Sequence, residues 1–130
     1  MTGLGLGRTT ALCLARHGVS QLALGDINAA ALEETKRELL AEMPDLAVLL
    51  LQMDVASEDS VSRAIASTVS SFGRIDIAVN NAGISGVFSP TQAAPWEDWE
   101  RVYNINFHGV WRCQKYELQQ MVRQEAQEMK

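Results

Sequence analysis

The chain has 130 residues, of which 47% are hydrophobic and 21% charged, with a formal net charge of -5 and a sequence pI of about 4.9. This length allows at most one domain, and the balance of apolar and charged residues is that of a globular chain, not a disordered one. The net negative charge argues against nucleic acid or an anionic membrane as a partner.

The cysteine content and the lengths of the apolar runs indicate the cellular compartment. Cys13 and Cys113 lie far apart and in no paired motif, so we expect neither a disulfide framework nor a zinc site. No apolar run is long enough to span a bilayer, and the N-terminus opens into glycines without a signal segment. We therefore expect a cytoplasmic protein without a metal site and without a membrane partner.

Helix and strand patterns alternate along the chain. The predicted helices cover residues 7–16, 28–43 and 57–72, followed by a long helix that begins at Trp96. The predicted strands cover residues 21–25, 46–53 and 75–79, and the second is so uniformly apolar that both of its faces should be covered. Strands that alternate with helices predict an α/β fold with a parallel sheet and right-handed crossovers.

A glycine-rich turn opens the first helix. Gly3, Gly5 and Gly7 lie at alternate positions, with Leu6 before the last of them. Glycines at such a turn let the backbone approach a diphosphate, and the free N–H groups at a helix start attract it. A flexible tail is the alternative interpretation, because the glycines alone are weak evidence.

An acidic residue ends each of the next two predicted strands. Asp26, followed by Ile27, lies 19 positions beyond Gly7 (26 − 7), near the offset of about 20 at which a carboxylate meets the adenosine ribose hydroxyls. Asp54 offers an acceptor to the adenine amino group, and Val55 offers packing on the ring. Each aspartate also suits an ordinary strand-to-helix turn, but the two in this order favour a dinucleotide site.

Small and amide residues follow the third predicted strand. Asn80, Asn81, Ala82 and Gly83 come directly after residues 75–79. Small residues at the carboxyl end of a parallel strand let a cofactor lie against the backbone. We expect Asn81, Ala82 and Gly83 to contact the cofactor.

At these motifs the chain resembles the classical short-chain dehydrogenase/reductase superfamily, over essentially all of its length. The resemblance implies an incomplete doubly wound, Rossmann-like parallel sheet and a partial dinucleotide-binding domain over residues 1–130. It implies hydride transfer between a nicotinamide cofactor and a small alcohol or ketone. It also implies that Asn106 is the catalytic asparagine, which kinks a long helix and holds a proton-relay water. The alternative for Asn106 is a helix-interior residue with a solvated side chain.

The N-terminal part departs from the family pattern. Thr2 and Gly3 lie only one residue before Gly5, so the glycine turn is two residues short. The family's first strand, central in its sheet, has no counterpart, so we expect the strands 21–25 and 75–79 each to lose a neighbour. Unpaired buried backbone groups cost about 1–3 kcal/mol each, so the isolated chain should be marginally folded or associated.

The tyrosine and lysine that the family uses as proton donor are also absent from the 130 residues. Tyr103 is followed four positions later by Phe107, and Tyr116 by Gln120, so no Tyr-x-x-x-Lys motif occurs. We therefore interpret the chain as a truncated family member that is inactive alone. The alternatives are a catalytically inactive remnant or a module for interaction or dimerisation.

The cofactor and the oligomeric state follow from the same resemblance. Asp26 should repel a 2′-phosphate, and neither Leu4 nor Ile27 supplies a cation to bind one, so NAD is expected; Arg8 keeps NADP as the alternative. The long helix 96–125 offers apolar side chains for a homo-oligomer, although core packing should use at least half of them. These side chains are Trp99, Val102, Val110 and Met121.

Overall fold

The computed structural model describes residues 5–125, so the predicted contact of Gly3 with a cofactor lies outside the described residues. Up to residue 72 the elements follow the predicted α/β order. They are α1 (Leu6–Arg16), β1 (Gln21–Asp26), α2 (Ala29–Glu42), β2 (Ala47–Gln52), α3 (Glu58–Phe72), a 3-10 turn (Thr91–Ala93), α4 (Trp96–Tyr103), a π-helix (Asn104–Gly109) and α5 (Val110–Met121).

The sheet of the described residues consists of β1 and β2, which run parallel. Gln21 pairs with Ala47 and the register runs without a break to Asp26 opposite Gln52. Since both strands point the same way, their carboxyl ends meet at one edge of the sheet, where ligands bind in open α/β folds. The fold therefore brings the ends of the first two predicted strands together.

Three helix boundaries form by local chemistry at the ends of the predicted ranges 28–43 and 57–72. The Asn28 side chain accepts a hydrogen bond from the Ala31 N–H at 3.1 Å and caps α2. Ser57 caps α3 in the same way through the Ser60 N–H at 3.3 Å. Gly73 ends α3 with φ of 81°, a left-handed conformation that favours glycine.

The apolar side chains form two clusters. The first joins α1, β1, α2 and the start of β2; its buried members are Ala11, Ala15, Leu22, Leu24, Leu32, Leu39 and Leu46. The second lies beyond β2, where Val55, Val61 and Cys113 bring α3 and α5 together. Because Val55 follows β2 directly, the second cluster fixes the carboxyl edge of the sheet against α5.

The prediction of a strand over residues 75–79 is wrong. The structure gives this segment no strand pairing, and Ile77 and Val79 are 62% and 50% exposed. A strand exists only through pairing with a neighbour, and no other strand of residues 5–125 lies beside this segment. The apolar run predicts a strand, but tertiary context decides whether one forms.

Two further predictions need correction. The middle of β2 is only half-buried, not covered on both faces, because the two-stranded sheet gives it a single partner strand. The long helix predicted over 96–125 is interrupted by the π-helix and its last regular turn ends at Met121. Of its four apolar residues, Trp99 is 59% exposed, whereas Val102, Val110 and Met121 are half-buried.

Candidate dinucleotide-binding site

The carboxyl end of β1 places Asp26 in a buried position. Asp26 is only 7% exposed, and its Oδ1 accepts a hydrogen bond from the Asn28 N–H at 2.9 Å. The Asp26 carbonyl accepts from the Met53 N–H at 3.0 Å, and the Ile27 carbonyl accepts from Gln52 Nε2 at 3.3 Å. These bonds hold Asp26 and Ile27 against the end of β2.

Asp54 shapes the turn from β2 into α3. Its Oδ1 accepts from the Ala56 N–H at 2.8 Å, and its own N–H donates to Ser60 Oγ at 3.0 Å. Asp26 makes the same kind of bond to the N–H two residues on. Both aspartates therefore make the contacts of an ordinary strand-to-helix turn, as the alternative interpretation expects. Asp54 is half-buried, so its role in the turn still allows contact with a ligand amine.

Val55 lies in the second apolar cluster. It is 8% exposed, and the end of the π-helix approaches it so closely that a Cβ added at Gly109 would lie 2.8 Å from Val55 Cγ2. Arg112 Nη1 donates to the Val55 carbonyl at 3.1 Å and to the Asn104 carbonyl at 3.3 Å, while Nη2 donates to Asn104 Oδ1 at 2.7 Å. One guanidinium thus ties the end of β2 to the start of the π-helix.

The segment with the small residues runs beside α5 and the π-helix. Asn80 Nδ2 donates to Glu117 Oε2 at 3.0 Å, and Ala82 packs against the second cluster. Asn81 is exposed, and Gly83 passes so near Asn106 that an added Cβ would lie 3.3 Å from Asn106 Oδ1. The structure therefore places these residues next to Val55 and Asn106, at the edge that Asp26 and Asp54 also occupy.

Asn106 lies within the π-helix Asn104–Gly109. Its Oδ1 accepts from the Ile84 N–H at 2.8 Å, and its Nδ2 donates to the Ile84 carbonyl at 2.8 Å. The side chain is therefore not simply solvated, as the alternative interpretation has it. Single π turns inside α-helices often mark functional sites, and here the turn coincides with the residue predicted to be catalytic.

The glycine turn enters the described structure at its second half. Gly5 is the N-cap of α1, Leu6 is 81% exposed and Gly7 is buried. Arg8, in the first turn, pairs with Glu34 at 3.4 Å and with Glu38, both on α2. The cation nearest to the predicted phosphate site is thus neutralised by two carboxylates.

Two side chains of the site were missed by sequence reasoning. Arg112 is adjacent to buried Cys113, and Glu117 is buried one turn beyond Cys113 on the same helix. That position is the signal that could have found them, because charges on a core-facing stripe are rarely left unpaired. Burial raises the pKa of Glu117, and the hydrogen bond from Asn80 acts in the opposite direction.

Two classes of feature are absent from residues 5–125. No helix there combines the length and hydropathy needed to cross a membrane. The same residues contain no group of three or more histidine, cysteine, aspartate and glutamate side chains placed to hold a metal ion.

The geometry at the sheet edge agrees with a comparison against protein families. The family described as short chain dehydrogenase matches residues 2–128. The chain belongs to the short chain dehydrogenase family. The sequence resemblance to that family and the expected Rossmann-like fold are thereby confirmed.

Individual relatives of this short chain dehydrogenase chain include both NAD and NADP proteins. Levodione reductase of Leifsonia aquatica is 41% identical over 108 residues, covering 83% of the chain, and a levodione reductase crystal structure gives a TM-score of 0.90 at 38% identity over 94% of the chain. NAD+-bound xylitol dehydrogenase gives 0.88 at 36% identity over 94% of the chain. An alcohol dehydrogenase of Thermococcus sibiricus complexed with 5-hydroxy-NADP gives 0.86 at 32% identity, also over 94%.

The match covers only part of each relative. The chain spans 40% of the Leifsonia enzyme, and 47%, 46% and 51% of the levodione reductase, xylitol dehydrogenase and Thermococcus structures. The chain therefore spans about half the length of the relatives that it matches. The family match over residues 2–128 includes both aspartate turns, the Asn80–Gly83 run and the π-helix.

Proposed function

We propose that the chain forms the dinucleotide-binding part of an NAD-dependent dehydrogenase or reductase that acts on a small alcohol or ketone. The single observation that carries this proposal is the convergence of the two aspartate turns and the Gly83–Asn106 contact at the carboxyl edge of one parallel sheet. Dinucleotides bind at this edge in doubly wound folds. Family membership supplies the reaction class, since a bound nicotinamide gives or accepts the hydride.

The residues present fit such a cofactor. Asp26 lies at the carboxyl end of β1 and is held in place by the Asn28 N–H, at the offset from the glycine turn expected for a ribose contact. Asn81 is exposed, so this part of the segment is accessible to a ligand. The first turn of α1, capped by Gly5, supplies free N–H groups of the kind that attract a diphosphate.

NAD is the preferred cofactor in this proposal. A carboxylate at Asp26 repels the 2′-phosphate of NADP, and Ile27 brings no positive charge. Arg8, which offered the alternative, is engaged by Glu34 and Glu38. Binding NADP through Arg8 would break these ion pairs, and this supports NAD over NADP.

Asn106 contributes position in this proposal. Its side-chain amide bonds to both backbone groups of Ile84, and we assign the relay water to the Asn106 backbone carbonyl. The side chain fixes where that carbonyl lies relative to residues 81–83. We therefore assign Asn106 to orienting the proton path and not to donating the proton itself.

The test is dinucleotide binding measured by calorimetry with NAD and NADP. The chain is used alone and also fused to the first strand and the C-terminal half of levodione reductase. We expect NAD to bind more tightly than NADP. Asp26→Ala should weaken NAD binding about 10- to 100-fold, since a hydrogen bond to a charged group contributes about 1.5–3 kcal/mol.

Asp45→Ala is the matched control, because Asp45 is an exposed aspartate in the loop before β2. It should leave NAD binding unchanged. Tighter binding of NADP than of NAD, or equal effects of the two substitutions, would contradict the assignment of Asp26.

A second candidate function is self-association through the region of α4, the π-helix and α5. Five aromatic side chains along it are 46–67% exposed: Trp96, Trp99, Tyr103, Phe107 and Trp111. Aromatic residues are enriched in protein interfaces, and contiguous exposed apolar patches mark interaction sites. We infer a homo-oligomer that buries this surface.

Sedimentation equilibrium tests the oligomer. Trp99→Arg combined with Trp111→Arg should shift the wild-type oligomer to a monomer, whereas Arg63→Glu, at an exposed position of α3, should leave it intact. A wild-type chain that is monomeric at all concentrations tested would refute the inference.

A further inference from the structure

Residues 75–84 carry the predicted cofactor contacts but have no strand neighbour among residues 5–125. Side-chain amides hold the segment at both ends instead. Gln124 Oε1 accepts from the Ile75 N–H at 3.1 Å, and its Nε2 donates to the Ile75 carbonyl at 2.6 Å. Asn106 makes the equivalent pair with Ile84. Each amide reproduces the double N–H and C=O exchange of a hydrogen-bonded strand pair.

A third contact lies between these ends. Glu117 on α5 is 9% exposed, and its Oε2 accepts from Asn80 Nδ2 at 3.0 Å. Burying a carboxyl group costs free energy unless it is hydrogen-bonded. The cost is offset in part by this bond, which fixes Asn80 and therefore the residue immediately before the cofactor-facing run.

We propose that Glu117 and Gln124 are positioning residues that hold residues 75–84 extended, so that Asn81, Ala82 and Gly83 present their backbone to the dinucleotide. Neither side chain contacts the cofactor in this arrangement. The expected effect on cofactor binding rests on the proposed function. The hydrogen bonds that Glu117 and Gln124 make to residues 75–84 do not depend on it.

The spacing of the contacts supports this assignment. The contacts fall at Ile75, Asn80 and Ile84, so they divide the segment into two short spans. Between these contacts, Ile77 and Val79 are 62% and 50% exposed, so their side chains add little packing. The described contacts that restrain this backbone are therefore mainly polar and come from the helical region that follows it.

The first experiment uses amide hydrogen exchange and relaxation by nuclear magnetic resonance on the full chain. Gln124→Leu should speed exchange of the Ile75 amide about tenfold, as expected for loss of one hydrogen bond. Glu117→Leu should lower the order parameters of residues 80–83, while Glu117→Gln, which keeps an acceptor oxygen, should restore them. Gln119→Leu, at an exposed position of the same helix, is the matched control and should change neither.

Asn80→Ala breaks the same contact from the other side and serves if Glu117→Leu does not fold. It should raise the mobility of residues 81–83 as Glu117→Leu does. Unchanged exchange at Ile75 in Gln124→Leu, together with unchanged order parameters in Asn80→Ala and Glu117→Leu, would overturn the proposal.

The second experiment is NAD binding by the same variants. Glu117→Leu and Gln124→Leu should each weaken binding about tenfold, with Glu117→Gln and Gln119→Leu close to wild type. If the wild-type chain and its fusion to levodione reductase bind no NAD, the proposed function fails. The exchange data then still show whether Glu117 and Gln124 hold residues 75–84 in place. Wild-type NAD affinity in both leucine variants would overturn the positioning role.

Discussion

Asn106 and Ile84 form two hydrogen bonds of 2.8 Å each, through which the side-chain amide of one pairs with both backbone groups of the other. The contact joins the π-helix to the residue directly after Gly83. It requires a close approach, because a Cβ on Gly83 would lie 3.3 Å from Asn106 Oδ1. The small residue at position 83 and the amide at position 106 therefore act together.

Asn106→Ala removes both bonds. We expect the free energy of unfolding to fall by about 1–3 kcal/mol, because the Ile84 N–H and carbonyl lose their partners. Asn81→Ala is the matched control, since Asn81 is an exposed asparagine of the adjoining segment. Urea denaturation measures both, and equal losses in the two variants would mean that the Ile84 contact contributes nothing measurable.

The elements with strong local signals could be predicted from the sequence. Asn28 and Ser57 cap helices at the first residues of the predicted ranges 28–43 and 57–72, and Gly73 ends the second of these helices. Each of these outcomes depends on a few neighbouring backbone groups, so the residue type alone specifies it. The parallel pairing of β1 and β2 was predictable for a similar reason, since two apolar runs joined by a helix have few other arrangements.

The segment 75–79 could not be predicted correctly because its conformation depends on distant partners. Its apolar residues favour a strand, but the described contacts of its backbone come from Gln124, which is 49 positions away from Ile75. For the same reason Glu117 and Arg112 were missed. Their partners, Asn80 and the Val55 carbonyl, become neighbours only when α5 packs onto the sheet edge.

Gly109 and Val55 should be energetically coupled. An added Cβ at Gly109 would lie 2.8 Å from Val55 Cγ2 and 3.1 Å from Val55 Cβ. Gly109→Ala should therefore destabilise the chain by about 1–3 kcal/mol, since overpacking outweighs the helix propensity gained. In a Val55→Ala background the same change should cost less, and a double-mutant cycle by urea denaturation measures the difference. Additive effects would show that the helix accommodates the methyl group by moving.

Glu117 should make stability depend on pH. Burial raises its pKa above the ordinary 4.5, so the folded state binds the proton more tightly than the unfolded state. This contribution is fully present below the unfolded pKa and is lost as the pH rises through the folded pKa. Glu117→Gln should therefore be more stable than wild type at neutral pH, and the difference should shrink on acidification towards the unfolded pKa.

Thermal melting of wild type and Glu117→Gln across this pH range is the measurement. The other titratable side chain coupled to Glu117 is Cys113, whose pKa burial raises to about 11, so it stays protonated throughout. Glu100→Gln, at an exposed glutamate of α4, is the control for removal of a surface carboxyl group. A difference that grows on acidification would reverse the sign of the argument.

The isolated chain should be marginally stable or associated. Its sheet has two strands in the described part, β2 is only half-buried, and Ile77 and Val79 are exposed. Two-stranded sheets are marginal without further packing. Circular dichroism during heating, with sedimentation on the same sample, should show a broad transition or an oligomer. A monomer with a sharp, cooperative transition would mean that the helices stabilise the sheet more than we expect.

Neither tyrosine of the chain is placed as a proton donor. Tyr103 stacks on Phe107 with ring centroids 4.9 Å apart. The Tyr116 hydroxyl donates to Glu58 Oε1 at 2.8 Å. This hydrogen bond is the main cause that raises the pKa of Tyr116, and desolvation by burial is the second. A raised pKa moves the tyrosine away from the range in which it exchanges a proton readily.

The 130-residue polypeptide alone should therefore not oxidise alcohols or reduce ketones at an enzymatic rate. Asn106 orients a proton path, but no tyrosine with a lysine four positions later completes it. Loss of a general acid or base typically costs about 10²–10⁴-fold in rate, and poorer positioning of cofactor and substrate adds to this. The measurement is nicotinamide absorbance with NAD or NADP and a broad panel of alcohols and ketones. The fusion to the C-terminal half of levodione reductase is the positive control, and Asn106→Ala should lower its turnover. If the unfused chain shows turnover and Asn106→Ala abolishes it, the proton transfer does not need a tyrosine with a lysine four positions later.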